Sequence, residues 1–405
     1  MKQSITLLLV ILFAGCAGPT KVGTQARIEA HQRMDVMNAN LAAQQAKQQF
    51  EVGQLDAAIE TIDAAIDRFN ETAKYHLLRG RILLELHQLD AALQSLETAS
   101  ELAPDSAEPH YFLGVLYQRW SEDDSAIEAY KVAMINDPSH PQYFMAVAET
   151  YVALGQFDEA LQFLLESGKE FQHQHSVPAL IGQIYLLLGD PENAAKYLSD
   201  SRLLGNDGSE ILTSLAMAEF DAAMYARCLM TLQQLEESSE DLPPIYQRMR
   251  GKCLFATGRV QQGRDVCLVV TRATPEEAGA WLDLGYIAWH MGDYERLGRC
   301  GERLKQLEPG RAEGALFQGI AALHAGNDEL AQATLSSVQS HNVFEGLDAV
   351  VESIFAKRRE TAVETAIRPN MVSEFAEGGS ERHQEDEADV SHPLVGVSPQ
   401  SEHAP

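Results

Sequence analysis

Apolar and polar positions along this chain fall into short amphipathic blocks that recur in one register. Gly80, Gly114, Gly182, Gly251, Gly285 and Gly319 align with their neighbours at a spacing of about 34 residues, with one extra residue near Pro243-Pro244. The middle of the blocks reads Gly53-Gln-Leu-Asp-Ala-Ala58, His87-Gln-Leu-Asp-Ala-Ala92, Gly155-Gln-Phe-Asp-Glu-Ala160, Gly189-Asp-Pro-Glu-Asn-Ala194, Gly292-Asp-Tyr-Glu-Arg-Leu297 and Gly326-Asn-Asp-Glu-Leu-Ala331. This pattern predicts a helix, a tight turn and a second helix in each repeat. Gly53, Gly155, Gly189, Gly258, Gly292 and Gly326 sit where a left-handed residue closes the first helix. A nearby Asp or Asn is placed to cap the second helix, and acids there complement its N-terminal dipole. Gly114 with Ala126, Gly182 with Ala194, and Gly319 with Ala331 predict a close approach of the two helices. Tyr117, Tyr130, Tyr151 and Tyr185 are sized to fill the space between them, and Pro104, Pro138, Pro275 and Pro309 stop the second helix.

These positions resemble the tetratricopeptide family, whose repeat carries a Trp, Leu-Gly, Tyr, Ala, an aromatic, Ala and Pro at fixed places. Pro109 to Pro138 matches through Gly114, Tyr117, Ala126, Tyr130, Ala133 and Pro138. Ala278 to Pro309 keeps Trp281, Leu284-Gly285 and Pro309 but departs at Leu297 and Gly301, where Ala and an aromatic are usual. Repeats beginning near Ser209 and Pro244 are weaker, with Cys228 and Cys267 at core places. The resemblance implies an all-α, right-handed superhelical solenoid of about nine helix-turn-helix repeats over residues 39–345. Leu347, Val350, Val351, Ile354 and Phe355 extend the helical pattern, so residues 346–369 read as a C-terminal capping helix. Residues 370–405 turn to Glu, Gly, Ser, His and Pro without periodicity and read as a disordered acidic tail.

The N-terminus carries a different signal. Met1-Lys2 precedes the apolar run Ile5–Phe13, too short for a membrane span of roughly 20 residues but suited to a signal peptide. Phe13-Ala14-Gly15-Cys16 resembles the cleavage box of bacterial lipoproteins, in which the Cys is lipidated, although Phe13 stands where Leu is usual. An ordinary signal peptide with an incidental Cys, or an uncleaved anchor, is the alternative. The lipoprotein reading makes residues 1–15 a signal peptide and 16–38 a lipidated tether with a leading helix. Ala17 after the Cys resembles lipoproteins sent to the outer membrane, facing the periplasm. The other cysteines, Cys228, Cys253, Cys267 and Cys300, fall in helical repeats and read as small apolar filler; if exported they allow three pairings, and sequence selects none.

Composition narrows the partners. The 405 residues are 45% apolar, enough for a sizeable core, and the net charge of −28 argues against nucleic acid. No GxSxG, HExxH, GxxxxGK[ST] or GxGxxG occurs, and His173 and His175 have no third ligand nearby, so neither an enzyme nor a cofactor, metal or small-molecule substrate is expected. In the tetratricopeptide family the first helix of each repeat lines a concave face. Carried onto this chain, that face comprises Lys74, Leu78, Arg81, Tyr111, Phe112, Val115, Arg119, Met145 and Glu149, then Met217, Phe220, Arg248, Lys252, Phe255, Tyr286, Trp289 and His290. Aromatic, Met and Arg side chains favour a protein partner, though the same spacing also suits packing between neighbouring helices. The subclass that clamps a C-terminal carboxylate with Lys and Asn is excluded, because Leu77, Leu78, Tyr111 and Phe112 occupy those positions. An apolar segment or helix of another envelope protein or peptide is the expected ligand. Lipoproteins of this build resemble those that assist assembly of type IV pili or secretion channels; the alternative is a structural component of polysaccharide export or cell-wall synthesis.

Overall fold

The computed structural model describes residues 21–171, 173–238 and 242–339. The expected signal peptide, Cys16, the expected capping helix and the expected acidic tail lie outside the described residues. Within them the chain is an all-α helical repeat solenoid. Eighteen α-helices form nine successive antiparallel pairs, and no strand occurs among the described residues. Two compact units meet in sequence at Gly168 and Lys169. The first holds α1 (Lys21–Glu51) with α2 (Leu55–Arg68), α3 (Ala73–Glu85) with α4 (Leu89–Leu102), α5 (Ala107–Arg119) with α6 (Asp123–Asn136), and α7 (Pro141–Ala153) with α8 (Phe157–Ser167). The second holds α9 (Ser176–Leu187) with α10 (Pro191–Leu203), α11 (Ser209–Asp221) with α12 (Tyr225–Ser238), and α13 (Pro244–Ala256) with α14 (Val260–Ala273). It ends with α15 (Ala278–Met291) and α16 (Tyr294–Leu307), then α17 (Ala312–His324) and α18 (Asp328–Gln339). The leading helix and the start of the array are one continuous helix, α1, so no break marks residue 39.

All nine pairs close through the same turn. In the first, Gly53 N–H donates to the Phe50 carbonyl and Gln54 N–H to the Gln49 carbonyl, the pair of hydrogen bonds that ends a helix through a left-handed residue. The left-handed residue is Gly at 53, 155, 189, 258, 292 and 326, as the register predicts. His87, Ser121 and Ala223 occupy the same place in the remaining repeats and are also left-handed, at φ of 56°, 59° and 54°. The hydrogen bonds and the packing of the pair therefore hold side-chain residues in a conformation that a Cβ opposes. Capping is sparser than expected. The side chains of Asp190, Asp293 and Asn327 accept a backbone N–H of the second helix, from Asn193, Arg296 and Leu330. Asp56, Asp90 and Asp158 lie within the first turn, where their charge meets the dipole without capping it.

Close approach fixes the distance between paired helices. A Cβ on Gly114 would overlap the Tyr130 ring, one on Gly182 would come within 2.6 Å of Leu198, and one on Gly319 within 2.6 Å of Leu335. Facing them, Ala58, Ala92, Ala126, Ala160, Ala194 and Ala331 are fully buried, with Cys228 and Leu297 in the same register. Gly301 departs from the family pattern because α16 packs closely against α17. A Cβ there would lie 2.7 Å from the Gly314 carbonyl oxygen. The space over Gly285 is filled by Phe317 of α17, fully buried, in place of an aromatic from α16. The four cysteines are free and buried, as core filler requires. Burial pushes the Cys300 thiol up to about 12, so it stays protonated and inert near neutrality.

Ala223 and Gly189 test the turn in opposite directions, since a Cβ on Gly189 meets nothing within 4 Å and only its φ of 70° is at stake. Ala223→Gly is expected to stabilise the chain by about 1 kcal/mol and Gly189→Ala to destabilise it by a similar amount. Urea unfolding midpoints check this, and shifts of the same sign would refute the shared left-handed turn.

Candidate functional site

In the first unit the residues of the expected face separate into three depths. Arg81 of α3 is central. Its guanidinium carbon lies 5.5 Å from the centre of the Phe50 ring of α1 and 4.8 Å from that of Phe112 of α5. The cation thus bridges three successive first helices through two aromatic faces, an arrangement that stabilises by about 1 kcal/mol per contact. Its Nε is buried and has no hydrogen-bond partner. Leu78 of α3, Phe112 and Val115 of α5 and Met145 of α7 are half-buried, and Lys74 is exposed. Glu149 of α7 stands one repeat beyond Val115 and two beyond Arg81 in the 34-residue register, half-buried. Burial pushes its carboxyl up to about 7.

Two expected face residues of this unit prove structural. Tyr111 is only 8% exposed. Its ring packs 5.3 Å from Tyr143 and 5.5 Å from Tyr130, and its hydroxyl accepts a hydrogen bond from Gln142 Nε2. Arg119 donates to the Leu84 carbonyl and pairs with Glu85 at 3.1 Å, closing the C-terminal end of α3. Both side chains are consumed by contacts between repeats.

The second unit turns half of its expected face to internal contacts, Phe220 and Phe255 by burial and Arg248 and Lys252 by ion pairing. Arg248 of α13 binds Asp283 of α15 at 2.9 Å and also Glu277, while Lys252 approaches Asp283 at 3.6 Å. Asp283 is 2% exposed. Burial works against the Arg248 charge, but Asp283 and Glu277 more than offset it and raise the guanidinium above its ordinary range. Gly279 makes room, since a Cβ there would overlap that guanidinium. Arg248 and Lys252 are therefore an internal ionic link between first helices, not free groove cations. Phe220 packs against Tyr225 under the Lys252 ammonium, and Phe255 against His290, both buried. Tyr286 and Trp289 are half-buried, both edge-on to Phe317. Met217 is half-buried on α11. Asp283, between Trp281 and Gly285, and Gly279, two residues before Trp281, carry no mark of this role in the repeat pattern, which falls on their neighbours.

What remains on the first unit is a strip of apolar and aromatic side chains with a guanidinium in it and a half-buried carboxylate beyond. Among the described residues no group of three His, Cys, Asp or Glu is placed to hold a metal.

Comparison with known proteins accords with the repeats. A family model described as "TPR repeat" matches residues 80–119, and one described as "Tetratricopeptide repeat" matches residues 179–201. Among solved structures, Pseudomonas aeruginosa PilF is similar at 18% identity and a TM-score of 0.41, covering 52% of this chain and 96% of that one. The C-terminal part of a TPR repeat-containing protein from Cytophaga hutchinsonii is similar at 14% identity and a TM-score of 0.45, covering 68% and 98%. MamA from Desulfovibrio magneticus, from its residue 41 to the end, is similar at 18% identity and a TM-score of 0.38, covering 41% and 94%. No curated protein matches the chain.

Glu149 yields a pH signature. Its folded pKa lies above the ordinary carboxylate value, so the folded chain holds the proton more tightly than the unfolded chain. The neutral acid is fully tolerated below the unfolded value, and that advantage is lost as pH rises through about 7. Glu149→Gln should gain about 2 kcal/mol on the wild type between pH 5.5 and pH 8. Paired urea titrations measure the difference; parallel curves would remove Glu149 as the titrating group.

Proposed function

Because the chain is a tetratricopeptide-repeat protein, we propose that it is a non-catalytic scaffold anchored by lipid at Cys16 in a bacterial envelope membrane. Its first unit docks a segment of another envelope protein. Repeats of this family generally mediate binding to other proteins, and the fold is a typical non-catalytic scaffold. The observation that carries the docking reading is the strip around Arg81. Phe50 and Phe112 flank a guanidinium whose Nε has no partner, and Leu78 and Met145 remain half-buried. Aromatic, Met and Arg side chains in a partly desolvated groove are the residues that dominate recognition energy. A short apolar or helical segment fits this strip, with a polar group placed against Arg81.

Anchoring rests on the apolar run before Cys16 and the small residues Ala14-Gly15. No described helix is long and apolar enough to cross a membrane. In the outer membrane, facing the periplasm, such a scaffold serves the assembly of a multi-protein envelope machine such as a type IV pilus or a secretion system.

Two measurements test the proposal. A photoreactive residue at Met145 should crosslink one or a few envelope proteins in living cells, and Arg81→Ala with Phe112→Ala should reduce the yield at least tenfold. Undiminished crosslinking by the double variant would refute the strip as the docking site. Separately, Cys16→Ser should move the protein out of the membrane fraction; retention there would refute lipid anchoring.

A further inference from the structure

The second unit contains a cleft of about 270 Å³ lined by four arginines, Arg272 of α14 and Arg296, Arg299 and Arg303 of α16, together with Trp281 and Leu284 of α15. No acidic residue lines it. That concentration runs against the composition, in which 59 acids outnumber 31 Lys and Arg. Three of the arginines have carboxylate partners that do not line the cleft. Asp293 meets Arg296 at 2.8 Å, Glu276 meets Arg303 at 2.9 Å, and Glu295 meets Arg299 at 3.3 Å in a largely exposed pair worth little. Arg272 has no acidic partner among the described residues. Trp281 is held by a hydrogen bond from its Nε1 to the Pro275 carbonyl, and Arg303 donates to the same oxygen.

We infer that this cleft binds the acidic stretch Glu385-Asp386-Glu387-Ala388-Asp389 of the same chain. The dimensions favour a polypeptide over a single compact anion. Arg296, Arg299 and Arg303 follow one another at i, i+3 and i+7 along α16, about 10 Å of helix. Four acids within five residues, from 385 to 389, extend over about 13 Å. Guanidinium groups engage carboxylates in paired hydrogen bonds, and the half-buried Trp281 gives the intervening Ala388 an apolar wall. Reach is no obstacle. Glu385 lies 46 residues beyond Gln339 (385 − 339), a length that spans on the order of 150 Å when extended. Because the stretch is tethered, its effective concentration is high, and modest intrinsic affinity suffices to occupy the cleft. The inference concerns the second unit alone and is independent of the docking strip on the first.

The test uses the full chain and a fluorescent peptide of residues 380–392, read by anisotropy. In the wild type the cleft is occupied in cis and the peptide should bind weakly. Neutralising the tethered stretch, with Glu385→Gln, Asp386→Asn, Glu387→Gln and Asp389→Asn together, should strengthen peptide binding at least tenfold. Adding Arg272→Gln and Arg299→Gln should abolish that gain. These two arginines are chosen because neither holds a buried pair, and circular dichroism should show unchanged helicity. Equal peptide binding by wild-type and neutralised chains would overturn the inference, as would binding that survives the arginine changes. Displacement of the peptide by inorganic phosphate at low millimolar concentration would overturn it too, marking a site for a small anion instead.

Discussion

Everything in this array depends on how near the two helices of a repeat come to one another. The approach is set at one small position on the first helix, Gly114 against Tyr130 or Gly182 against Leu198, and at one on the second, the buried alanines from Ala58 to Ala331. With the separation fixed, the turn has no freedom, and its two hydrogen bonds, to carbonyls three and five residues back, require a left-handed residue in every repeat. His87, Ser121 and Ala223 accept that conformation because the packed pair outweighs a local cost of about 1–2 kcal/mol each. Tertiary contact, not local propensity, therefore decides the backbone at these three positions.

The fold was largely legible in the residues because the same contact recurs. A period of about 34 residues converts weak single signals into one strong one, and six of the nine turn positions are marked by glycine. The face was less legible. Periodicity tells which side of a helix a residue occupies but not how deep its side chain ends, so Tyr111, Phe220 and Phe255 share a register with half-buried neighbours and still belong to the core. Arg248 and Lys252 carried no hint of their partner, because Asp283 lies 31 or more residues away in a neighbouring repeat. Arg81 and Phe112 were recognisable by type alone, and their joint geometry with Phe50 emerges only once three repeats are stacked.

Charge is arranged with similar economy. The chain carries a net charge of −28, yet several of its cations link neighbouring repeats: Arg119 at the end of α3, Arg248 on a buried aspartate, Arg303 across to Glu276. Such links contribute less to stability than to register, since a desolvated ion pair tolerates only one alignment of the helices that carry it. Acids left over on the surface keep the array soluble and repel like-charged surfaces.

Phe317 deserves a last consideration for what it does to the boundary between repeats. Elsewhere an array of this kind behaves as a row of modules coupled only through their nearest faces. Here one module borrows its filling from the next, because Gly285 and Gly301 leave a space that α16 itself does not occupy and α17 does. The last two helix pairs of the described chain thereby share one filling side chain, and a change at Phe317 acts on both. Loss or duplication of a single repeat at this junction would leave a void in one module or an orphaned aromatic in the other, a packing cost that the other junctions need not carry.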